Sequence, residues 1–483
     1  MQLMWFRRDL RVEDNTALQS AINTQQAVIA IYIATPDSWR NHHLSPIQAD
    51  LIYRRLFELQ QDLAQLNIPL LYMEVENYQQ CVQQVSDCAL RYGAERVVFN
   101  REYEVNEQDR DDLLQSHSEI EIQGFDDKCL LPPGSVLNKQ GQYFKVFTPF
   151  KRAYLARLTE NLPPVVKTTA VRDDSTNILG IKAEQKESYP ALLSTQSVFS
   201  YPRESSERYV VNSKAIRQLL CEFCHERVDN YHNDRDKPAL NATSMLSPYL
   251  AIGALSVRQC VARVLYSAQA HQITSPLLGE GIHTWISELV WRDFYQHLLH
   301  FEPKLCKGRH FVTWTEKLHW PGSKQHLAVW QKGMTGYPIV DAAMRQLNQT
   351  GWMHNRLRMV VASFLTKDLH VHWHHGERYF MQKLVDGDYA ANNGGWQWSA
   401  STGCDAQPYF RIFNPTAQGE RFDSDGDFVR HWIPELSAVP NKYIHQPWRW
   451  ENVISLSYPK PMVDHKSERE ITLRLFQDAK DFQ

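Results

Sequence analysis

Residues 386–410 form the stretch DGDYAANNGGWQWSASTGCDAQPYF, which combines carboxylates one residue apart, two adjacent amides and two tryptophans one residue apart. This composition is too polar for a core segment and too aromatic for an ordinary loop. We therefore predict that the stretch builds a site. Twelve of the fourteen tryptophans in the chain follow residue 280. Two interpretations of the clustered tryptophans stay open. They could fill a hydrophobic core, or they could have a functional role in stacking on flat ligands or passing electrons.

Length and charge limit the classes of protein to consider. The chain has 483 residues, more than one hydrophobic core usually spans, so two or three domains are expected. A net charge of −3 gives no general attraction for nucleic acid, and any DNA binding must come from a local basic face. Arg7, Arg8 and Asp9 stand where a signal peptide needs an apolar run. No apolar stretch reaches the roughly 18 residues of a membrane helix. We expect a soluble cytoplasmic protein with no membrane partner.

The eight cysteines are scattered along the chain, which is typical of reduced thiols in a cytosol. Cys221 and Cys224 form a CxxC pair with His225 beside it, but no second pair follows at the spacing of a zinc site. Thiols on a helix face explain this pair better than a metal does. We predict no metal.

Residues 1–150 alternate short apolar runs with stretches of helical period, the pattern of a parallel sheet with crossover helices. This α/β domain lacks GxGxxG and GxxxxGK[ST], so it should not hold a dinucleotide in the ordinary way. The predicted strands are Leu3–Phe6, Val28–Ile33, Leu70–Val75, Val97–Phe99 and Ile120–Ile122, and the predicted helices between them are Gln48–Leu66 and Gln79–Tyr92.

The composition and periodicity of the sequence change after the first third of the chain. From about 160 to 206 the sequence is rich in Ser, Thr and Pro without periodicity, which predicts a long surface connection. Beyond 210 helical spacing dominates, with a break at the TGYP of residues 335–338. Helical periodicity is clearest in Ile282–Leu299, Ile339–Leu347 and Arg358–Leu369. We predict an α/β domain at 1–135, a connection at 136–206 and a helical domain at 207–483, with no internal repeat.

Three motifs in order carry a resemblance to a known family: WFRRDLRVEDN at 5–15, TGYPIVDAAMRQLNQTGWMHNRLRM at 335–359, and DGDYAANNGGWQW at 386–398. Together they resemble the photolyase/cryptochrome family, and within it the bacterial folate-type class I photolyases that repair cyclobutane pyrimidine dimers. The resemblance covers nearly the whole chain. It implies an N-terminal Rossmann-like domain with a parallel five-stranded sheet that binds an antenna, and a large all-α C-terminal domain that holds FAD bent into a U shape.

The flavin site follows from the resemblance residue by residue. Residues 241–247, NATSMLS, form a hydroxyl-rich entry to a helix; taken alone it fits an ordinary N-cap, but the resemblance favours a pyrophosphate site. Arg358 and Asp386 are implied as a charged pair near the isoalloxazine, where Arg358 would stabilise the reduced anionic flavin. Asn392 would face flavin N5, although an Asn in a tight turn is an alternative. The implied FAD contacts are Tyr231, Thr243, Ser244, Met245, Leu246, Ser247, Trp285, Glu288, Asn355, Arg358, Asp386, Asp388 and Asn392.

The same resemblance implies damaged DNA as the partner of a monomeric enzyme. A lesion flipped out of the duplex would enter a pocket walled by Trp291 and Trp398. Glu288, which shares a helix face with Trp291, would hydrogen-bond the dimer. The remaining implied residues are Asn355 and Met359 in the cavity and Arg292, Arg356 and Arg411 toward substrate, although Arg356 and Arg411 could equally be partners in surface ion pairs.

A second aromatic set matches the family's electron-hopping path from the surface to the flavin, namely Trp320, Trp373 and Trp396. The antenna site resembles the 5,10-methenyltetrahydrofolate type, in which Glu107 accepts two parallel donors from the pterin. A surface glutamate at a helix start is the alternative for Glu107. The implied antenna contacts are His42, Asn106, Glu107, Cys306 and Lys307, with His43 as an alternative to His42.

Two rival functions stay open, a cryptochrome-like blue-light photoreceptor and a photolyase for (6-4) photoproducts. The second typically has histidines where this chain has Asn355 and Met359. The first often carries a long disordered tail, whereas residues 465–483, HKSEREITLRLFQDAKDFQ, have the pattern of a short charged helix. A light-independent flavin oxidoreductase is a weaker option, because no nicotinamide fingerprint is present. The sequence therefore favours light-driven repair of cyclobutane dimers.

Overall fold

The computed structural model describes residues 1–168, 191–192, 199–275 and 277–481. The chain divides into two compact units. The first is Met1–Phe144, Pro149–Asp229 and Ser244–Phe301, and the second is Lys145–Thr148, Asn230–Thr243 and Glu302–Gln483. The predicted division at 1–135, 136–206 and 207–483 follows other limits and stays a prediction. Most of the aperiodic stretch between 160 and 206 lies outside the described residues.

A twisted sheet organises the first unit. Its order is β5-β4-β1-β2-β3-β6, with β1 to β5 parallel and β6 antiparallel to β3. The strand order reverses at β1, because β2 and β3 follow on one side of it and β4 and β5 on the other. The gap between β1 and β4 is therefore a topological switch point, where α/β sheets usually place polar functional groups. The strands are β1 (Gln2–Phe6), β2 (Val28–Ala34), β3 (Leu70–Glu74), β4 (Arg96–Asn100), β5 (Glu121–Phe125) and β6 (Ala191–Leu192).

The five strands predicted from apolar runs are all present. The central strands β1 and β2 are easy to predict because they are buried on both faces. Every residue of β1 and β2 is buried, as expected for strands covered by helices on both sides. The predicted five-stranded parallel sheet is therefore confirmed. The two-residue strand β6 adds a short antiparallel edge that the sequence pattern did not indicate.

The helices of the first unit begin at recognisable caps. Asn15 accepts from the backbone N–H of Leu18, and Ser45 accepts from that of Gln48 ahead of Pro46. The helices are α1 (Thr16–Asn23), α2 (Pro36–Asn41), α3 (Pro46–Ala64), α4 (Tyr78–Arg91), α5 (Val105–His117), α6 (Phe147–Glu160), α7 (Ser213–Glu226), α8 (Tyr231–Asp234), α9 (Ser247–Ala251), α10 (Val257–Ser267) and α11 (Glu280–Phe301), of which α8 and the start of α6 belong to the second unit.

The second unit is built from helices around a large apolar cluster that includes Trp330, Leu357 and Trp373, with a smaller cluster at Leu318, Phe476 and Ala479. Short 3-10 turns occupy Pro303–Lys307, Thr313–Lys317, Pro434–Leu436, Asn441–Tyr443, Pro447–Arg449 and Val453–Ser455. The helices are α12 (Lys324–Lys332), α13 (Pro338–Thr350), α14 (Asn355–Ser363), a π-helical turn (Phe364–Asp368), α15 (Trp373–Lys383), α16 (Tyr389–Ser399), α17 (Pro415–Phe422), α18 (Asp427–Trp432) and α19 (His465–Asp481).

The TGYP break of residues 335–338 is held by one buried carboxylate. Asp341 accepts from the N–H and the hydroxyl of Thr335 at 2.7 Å each, and from the N–H of Gly336 at 2.9 Å. Pro338 then starts α13, and Gly351 with φ 72° ends it. Burial raises the pKa of Asp341 to about 6, although these hydrogen bonds act to lower it. The loop therefore fixes where α13 begins.

Candidate active site

Arg358 on α14 and Asp386 form the charged pair that the sequence suggested. The guanidinium Nη2 donates to both carboxylate oxygens, at 3.0 and 2.7 Å, and Nε donates to the carbonyl of Met353 at 2.8 Å. The Asp386 side chain is 3% exposed and that of Arg358 26% exposed. A carboxylate buried this deeply needs its cation. Arg358 is thus held by two partners, and its side chain stays partly exposed.

Asn392 and Asn393 on α16 both bind Glu377 on α15. Asn392 Nδ2 donates to the backbone carbonyl of Glu377 at 3.0 Å, and Asn393 Nδ2 donates to its carboxylate at 2.8 Å. The first bond fixes the amide orientation of Asn392 and leaves Oδ1 as its acceptor. Asp388 caps the same helix by accepting from the Ala391 N–H at 3.0 Å. An acceptor at Asn392 fits a reduced flavin, whose N5–H is a donor.

Burial raises the pKa of the Glu377 carboxyl to about 7, although the Asn393 amide acts to lower it. A carboxyl of this kind is poised between its neutral and charged forms near neutral pH. The sequence reasoning did not single out Glu377, because an acidic residue inside a helical stretch is usually on a solvated face.

The hydroxyl-rich turn is split between the two units, with Thr243 in the second and Ser244 in the first. In the first unit, Met245 has φ 54°, a left-handed conformation that costs a residue other than glycine roughly 1–2 kcal/mol. Backbone strain of this kind concentrates at ligand sites. Leu246 is the cap of α9, and Ser247 is its first residue. The turn thus presents hydroxyls and backbone at a helix start, as a pyrophosphate site requires.

The other implied flavin contacts are aromatic and buried. Trp285 on α11 is 3% exposed and packs against Phe223, with ring centroids 5.0 Å apart. Tyr231, in the second unit, is 8% exposed and lies under the Arg235 guanidinium at 5.7 Å. Both side chains have a packing partner in their own unit, which fixes their orientation.

Glu288, Trp291 and Arg292 follow one another along α11. Trp291 is partly exposed and its ring lies 5.7 Å from the rings of Phe294 and Tyr295. Arg292 donates to the Lys128 carbonyl at 2.8 Å and to the Asp293 carboxylate at 2.9 Å. Trp291 therefore has an accessible surface for stacking, whereas Arg292 is engaged within its own unit.

Asn355 and Arg356 begin α14, and the buried imidazole of His354 caps it by accepting from the Arg356 N–H at 3.2 Å. Arg356 Nη2 donates to the Asp236 carboxylate at 2.8 Å. Burial lowers the pKa of His354 to about 4. Asn355 is exposed, Met359 and Trp398 are partly exposed, and Arg411 is exposed. The structure thus gives Arg356 an ion-pair partner, the alternative foreseen from the sequence, and leaves Asn355 open to a ligand.

The three tryptophans of the implied electron path lie in the second unit. Trp373 is fully buried, Trp396 is 2% exposed and Trp320 is partly exposed. Gly376, one turn after Trp373 on α15, lies so close to the indole of Trp396 that a methyl group there would collide with it. His372 stands between the other pair, 5.1 Å from Trp320 and stacked at 5.9 Å on Trp373. The aromatic residues therefore run from the buried core to the surface.

In the first unit His42, Asn106 and Glu107 come together with Tyr78. Asn106 Nδ2 lies 2.8 Å from His42 Nε2, and Glu107 accepts from the Tyr78 hydroxyl at 2.7 Å. Burial is the main cause that raises the pKa of the Glu107 carboxyl, and the nearby Glu104 raises it further. The carboxylate Oε1 of Glu107 lies 3.4 Å from His42 Nδ1. Here Glu107 is buried rather than on the surface, with 4% exposure. Among the implied antenna contacts of the second unit, Cys306 is partly buried and Lys307 exposed, both in the 3-10 turn Pro303–Lys307.

Across the described ranges, no group of three or more His, Cys, Asp or Glu side chains is arranged to hold a metal ion. None of the eight cysteines, all of which lie in the described ranges, forms a disulfide. None of the helices in the described part of the chain is long and apolar enough to cross a membrane.

Known proteins match this chain over almost all of its length. The DNA photolyase family matches residues 2–167, and the FAD binding domain of DNA photolyase matches residues 285–478. A deoxyribodipyrimidine photo-lyase of Vibrio cholerae is 56% identical, covering 99% of this chain and 100% of that protein. The Escherichia coli protein of the same name is 47% identical, with 99% and 98% covered. A solved bacterial class III photolyase from Agrobacterium tumefaciens has a TM-score of 0.80 at 32% identity, covering 99% of this chain and 98% of that one.

Proposed function

Because the chain belongs to the DNA photolyase family, we propose that it is a deoxyribodipyrimidine photo-lyase that uses light to split cyclobutane pyrimidine dimers in DNA. The observation that carries this proposal is the full-length similarity to proteins of that name at 56% and 47% identity. The residues at the site support it, since Asn355 and Met359 stand where an enzyme for (6-4) photoproducts typically has histidines.

FAD is the catalytic cofactor, and 5,10-methenyltetrahydrofolate is the antenna. When bound, reduced and excited by light, FAD would supply the one-electron chemistry that splits the cyclobutane ring, with the electron returned at the end. The remaining task of the protein is to bind, orient and shield, because no nucleophile or metal takes part.

We assign the flavin-side roles from the contacts within each unit. Arg358, fixed by Asp386 and by the Met353 carbonyl, offers positive charge to the edge of the ring that becomes negative on reduction. Asn392 offers Oδ1 to N5–H, because its amide group is already bound by the Glu377 carbonyl. Thr243 and Ser244–Ser247 supply hydroxyls and backbone N–H groups to the pyrophosphate.

We assign the lesion-side roles to aromatic and polar residues with accessible surface. Trp291 and Trp398 stack on the flipped bases, which is worth roughly 1–3 kcal/mol per base. Glu288 and Asn355 hydrogen-bond the dimer. A dimer is already poorly stacked in the duplex, so extruding it costs less than extruding intact bases. Selectivity for damage therefore begins with the cost of flipping.

The direct test is illumination of the chemically reduced protein with a thymine-dimer oligonucleotide, with restored thymines as the measurement. We expect repair in the light, none in the dark, and none for an oligonucleotide that carries a (6-4) photoproduct. Light-dependent flavin chemistry without repair would favour a photoreceptor instead. We further propose that the enzyme is a cytoplasmic monomer, for which a sedimentation measurement at the mass of one chain is the check.

A further inference from the structure

The two buried indoles of the electron path differ in what their N–H groups meet. Trp373 Nε1 donates to His310 Nε2 at 3.0 Å, in surroundings where both rings are almost fully buried. The buried Nε1 of Trp396 has no acceptor among the protein groups that the structure describes. An indole N–H can only donate. The N–H groups of these two tryptophans therefore lie in different electrostatic surroundings.

The hydrogen bonds fix the form of His310. Since Trp373 donates to Nε2, the proton of the neutral imidazole is on Nδ1, which lies 2.8 Å from the Thr315 hydroxyl. Thr315 in turn donates to the Val312 carbonyl at 2.6 Å. Burial lowers the pKa of His310 below its ordinary value, with Glu316 acting in the opposite direction. His310 is thus a neutral acceptor held by a directed chain of hydrogen bonds.

A neutral acceptor matters most when the indole is oxidised. Removal of one electron makes the ring positive and its N–H strongly acidic, so an acceptor at that N–H stabilises the oxidised form. Burial strengthens the effect, because little water competes. The Trp396 indole has no such acceptor among the described residues. A positive charge is consequently more stable on Trp373 than on Trp396.

We propose that His310 is a positioning residue for photoreduction: it accepts the N–H of Trp373 and so stabilises the positive charge while the charge is on this middle tryptophan, before Trp320 supplies an electron. This inference rests on the proposed function. One electron leaves Trp396 for the photoexcited oxidised flavin, Trp373 refills Trp396, and Trp320 refills Trp373. An external thiol then returns one electron to Trp320. His310 exchanges no electron; while Trp373 is oxidised, its Nε2 accepts the hydrogen bond of the indole N–H or takes up the indole proton itself. A proton taken up in this way returns to the indole once Trp373 has regained an electron.

The surrounding imidazoles are consistent with this role. His372 packs between Trp320 and Trp373, and burial together with His374 and His310 lowers its pKa to about 3. A neutral His372 adds no positive charge beside the path. The path between the buried and the partly exposed tryptophan therefore passes neutral rings, and one of them, His310, is oriented to accept.

The test is flash photolysis of the protein that carries oxidised FAD, with the yield of long-lived oxidised tryptophan as the measurement. His310→Leu removes the acceptor at similar volume, and we expect the yield to fall about tenfold, the factor for one hydrogen bond to a charged group. His310→Gln keeps a side-chain acceptor and should recover part of the loss. His319→Leu, an exposed histidine on the same segment, is the matched control and should leave the yield unchanged.

A readout in the dark separates this role from a structural one. Nitrogen-15 labelling of the indoles, with the Trp373 resonance identified by its absence in Trp373→Phe, should show this N–H shifted in His310→Leu and not in His319→Leu. If the Trp373 signal shifts but the flash yield stays within about twofold of the parent, the inference is wrong. If Trp373→Phe also leaves the yield unchanged, the implied electron path through Trp396, Trp373 and Trp320 is itself wrong.

Thr315→Val provides a second variant that retains the imidazole. It removes the partner of His310 Nδ1 and loosens the fixed tautomer, so the yield should fall by a smaller factor than in His310→Leu. If His310→Leu does not fold, a yield in Thr315→Val equal to that of the parent overturns the proposal.

Discussion

Two buried glutamates, one in each unit, have the same chemistry and different surroundings. Glu107 in the first unit is 4% exposed and is held by the Tyr78 hydroxyl and the nearby His42, whose side chain is 26% exposed. Glu377 in the second unit is 9% exposed and is held by an amide of α16. Burial raises the pKa of both carboxyls.

Glu107 and Glu377 differ in the groups that donate hydrogen bonds to them. The donors around Glu107 are side chains near the surface, which can yield to a ligand that brings its own donors. The donors around Glu377 are Asn392 and Asn393, fixed on a helix. We propose that Glu107 offers its carboxylate to the antenna, whereas Glu377 orients the amides of Asn392 and Asn393 for the flavin. Burial alone does not separate these two uses.

The largest effect should follow from removing the guanidinium of Arg358, which pairs with the buried Asp386. Arg358→Ala leaves the buried Asp386 without its cation, which costs roughly 2–5 kcal/mol for pairs of this kind. We expect FAD affinity to fall by on the order of a hundredfold or more, and repair to be lost with it. The measurement is flavin absorption after dialysis.

The control for this variant is Arg345→Ala. Arg345 also pairs with a carboxylate through one guanidinium nitrogen, at 2.9 and 3.0 Å to Glu435, in the same unit. It should lower stability modestly and leave FAD bound. Equal loss of flavin from both variants would show that Arg358 acts through the general stability of the unit.

Trp291→Ala should have the next largest effect. Trp291 lies in the first unit, as does the antenna cluster of His42, Tyr78, Asn106 and Glu107. This variant therefore tests whether the first unit also binds the lesion. Loss of one stacking wall forfeits roughly 1–3 kcal/mol, which raises the dissociation constant for dimer-containing DNA about 5- to 150-fold. Undamaged DNA should bind as before and flavin absorption should persist. Equal weakening for damaged and intact DNA would make Trp291 a packing residue.

Glu377→Gln sharpens the comparison through pH. The folded pKa of Glu377, about 7, lies above its ordinary value. Its stabilising contribution is therefore fully present below the ordinary pKa and is lost as pH rises through about 7. Glutamine keeps an acceptor for Asn393 and cannot ionise. The variant should be more stable than the parent by roughly 1–3 kcal/mol at about pH 8 and equal to it or less stable at about pH 5.

The measurement is the thermal unfolding midpoint at both pH values, with flavin content followed in parallel. Glu451→Gln changes an exposed glutamate in the same unit and should keep the pH dependence of the parent. If Glu377→Gln keeps it as well, Glu377 is ionised in the folded protein at neutral pH and its neighbours stabilise the charge.

Much of the fold follows from local sequence pattern. The run AVIAIYIA predicts β2 because its residues are apolar on both faces, and the periodicity of Ile282–Leu299 predicts α11 to within two residues at each end. The TGYP break coincides with the start of α13. In each case the determining interaction is short in sequence.

The features that pattern could not reveal depend on distant partners. The predicted helix Arg358–Leu369 is in fact α14 followed by a π-helical turn, Phe364–Asp368, and hydrophobic spacing does not distinguish the two. Glu377 becomes a buried residue only because α16 packs on α15. The acceptor for Trp373 comes from His310, 63 residues away. The resemblance named the site residues, but not the groups that hold them.

The smallest effect on repair should come from the antenna cluster. Glu107→Ala removes the acceptor of two pterin donors, and we expect folate affinity to fall about tenfold or more. Near-ultraviolet absorption should decline while FAD stays bound and repair under saturating light is unchanged, because the antenna only gathers light. Tyr78→Phe removes the hydroxyl that Glu107 accepts and leaves the carboxylate in place, so folate should bind nearly as before. If Tyr78→Phe loses as much folate as Glu107→Ala, the pterin is held by the network as a whole, and the contrast between a carboxylate that binds and one that positions no longer holds.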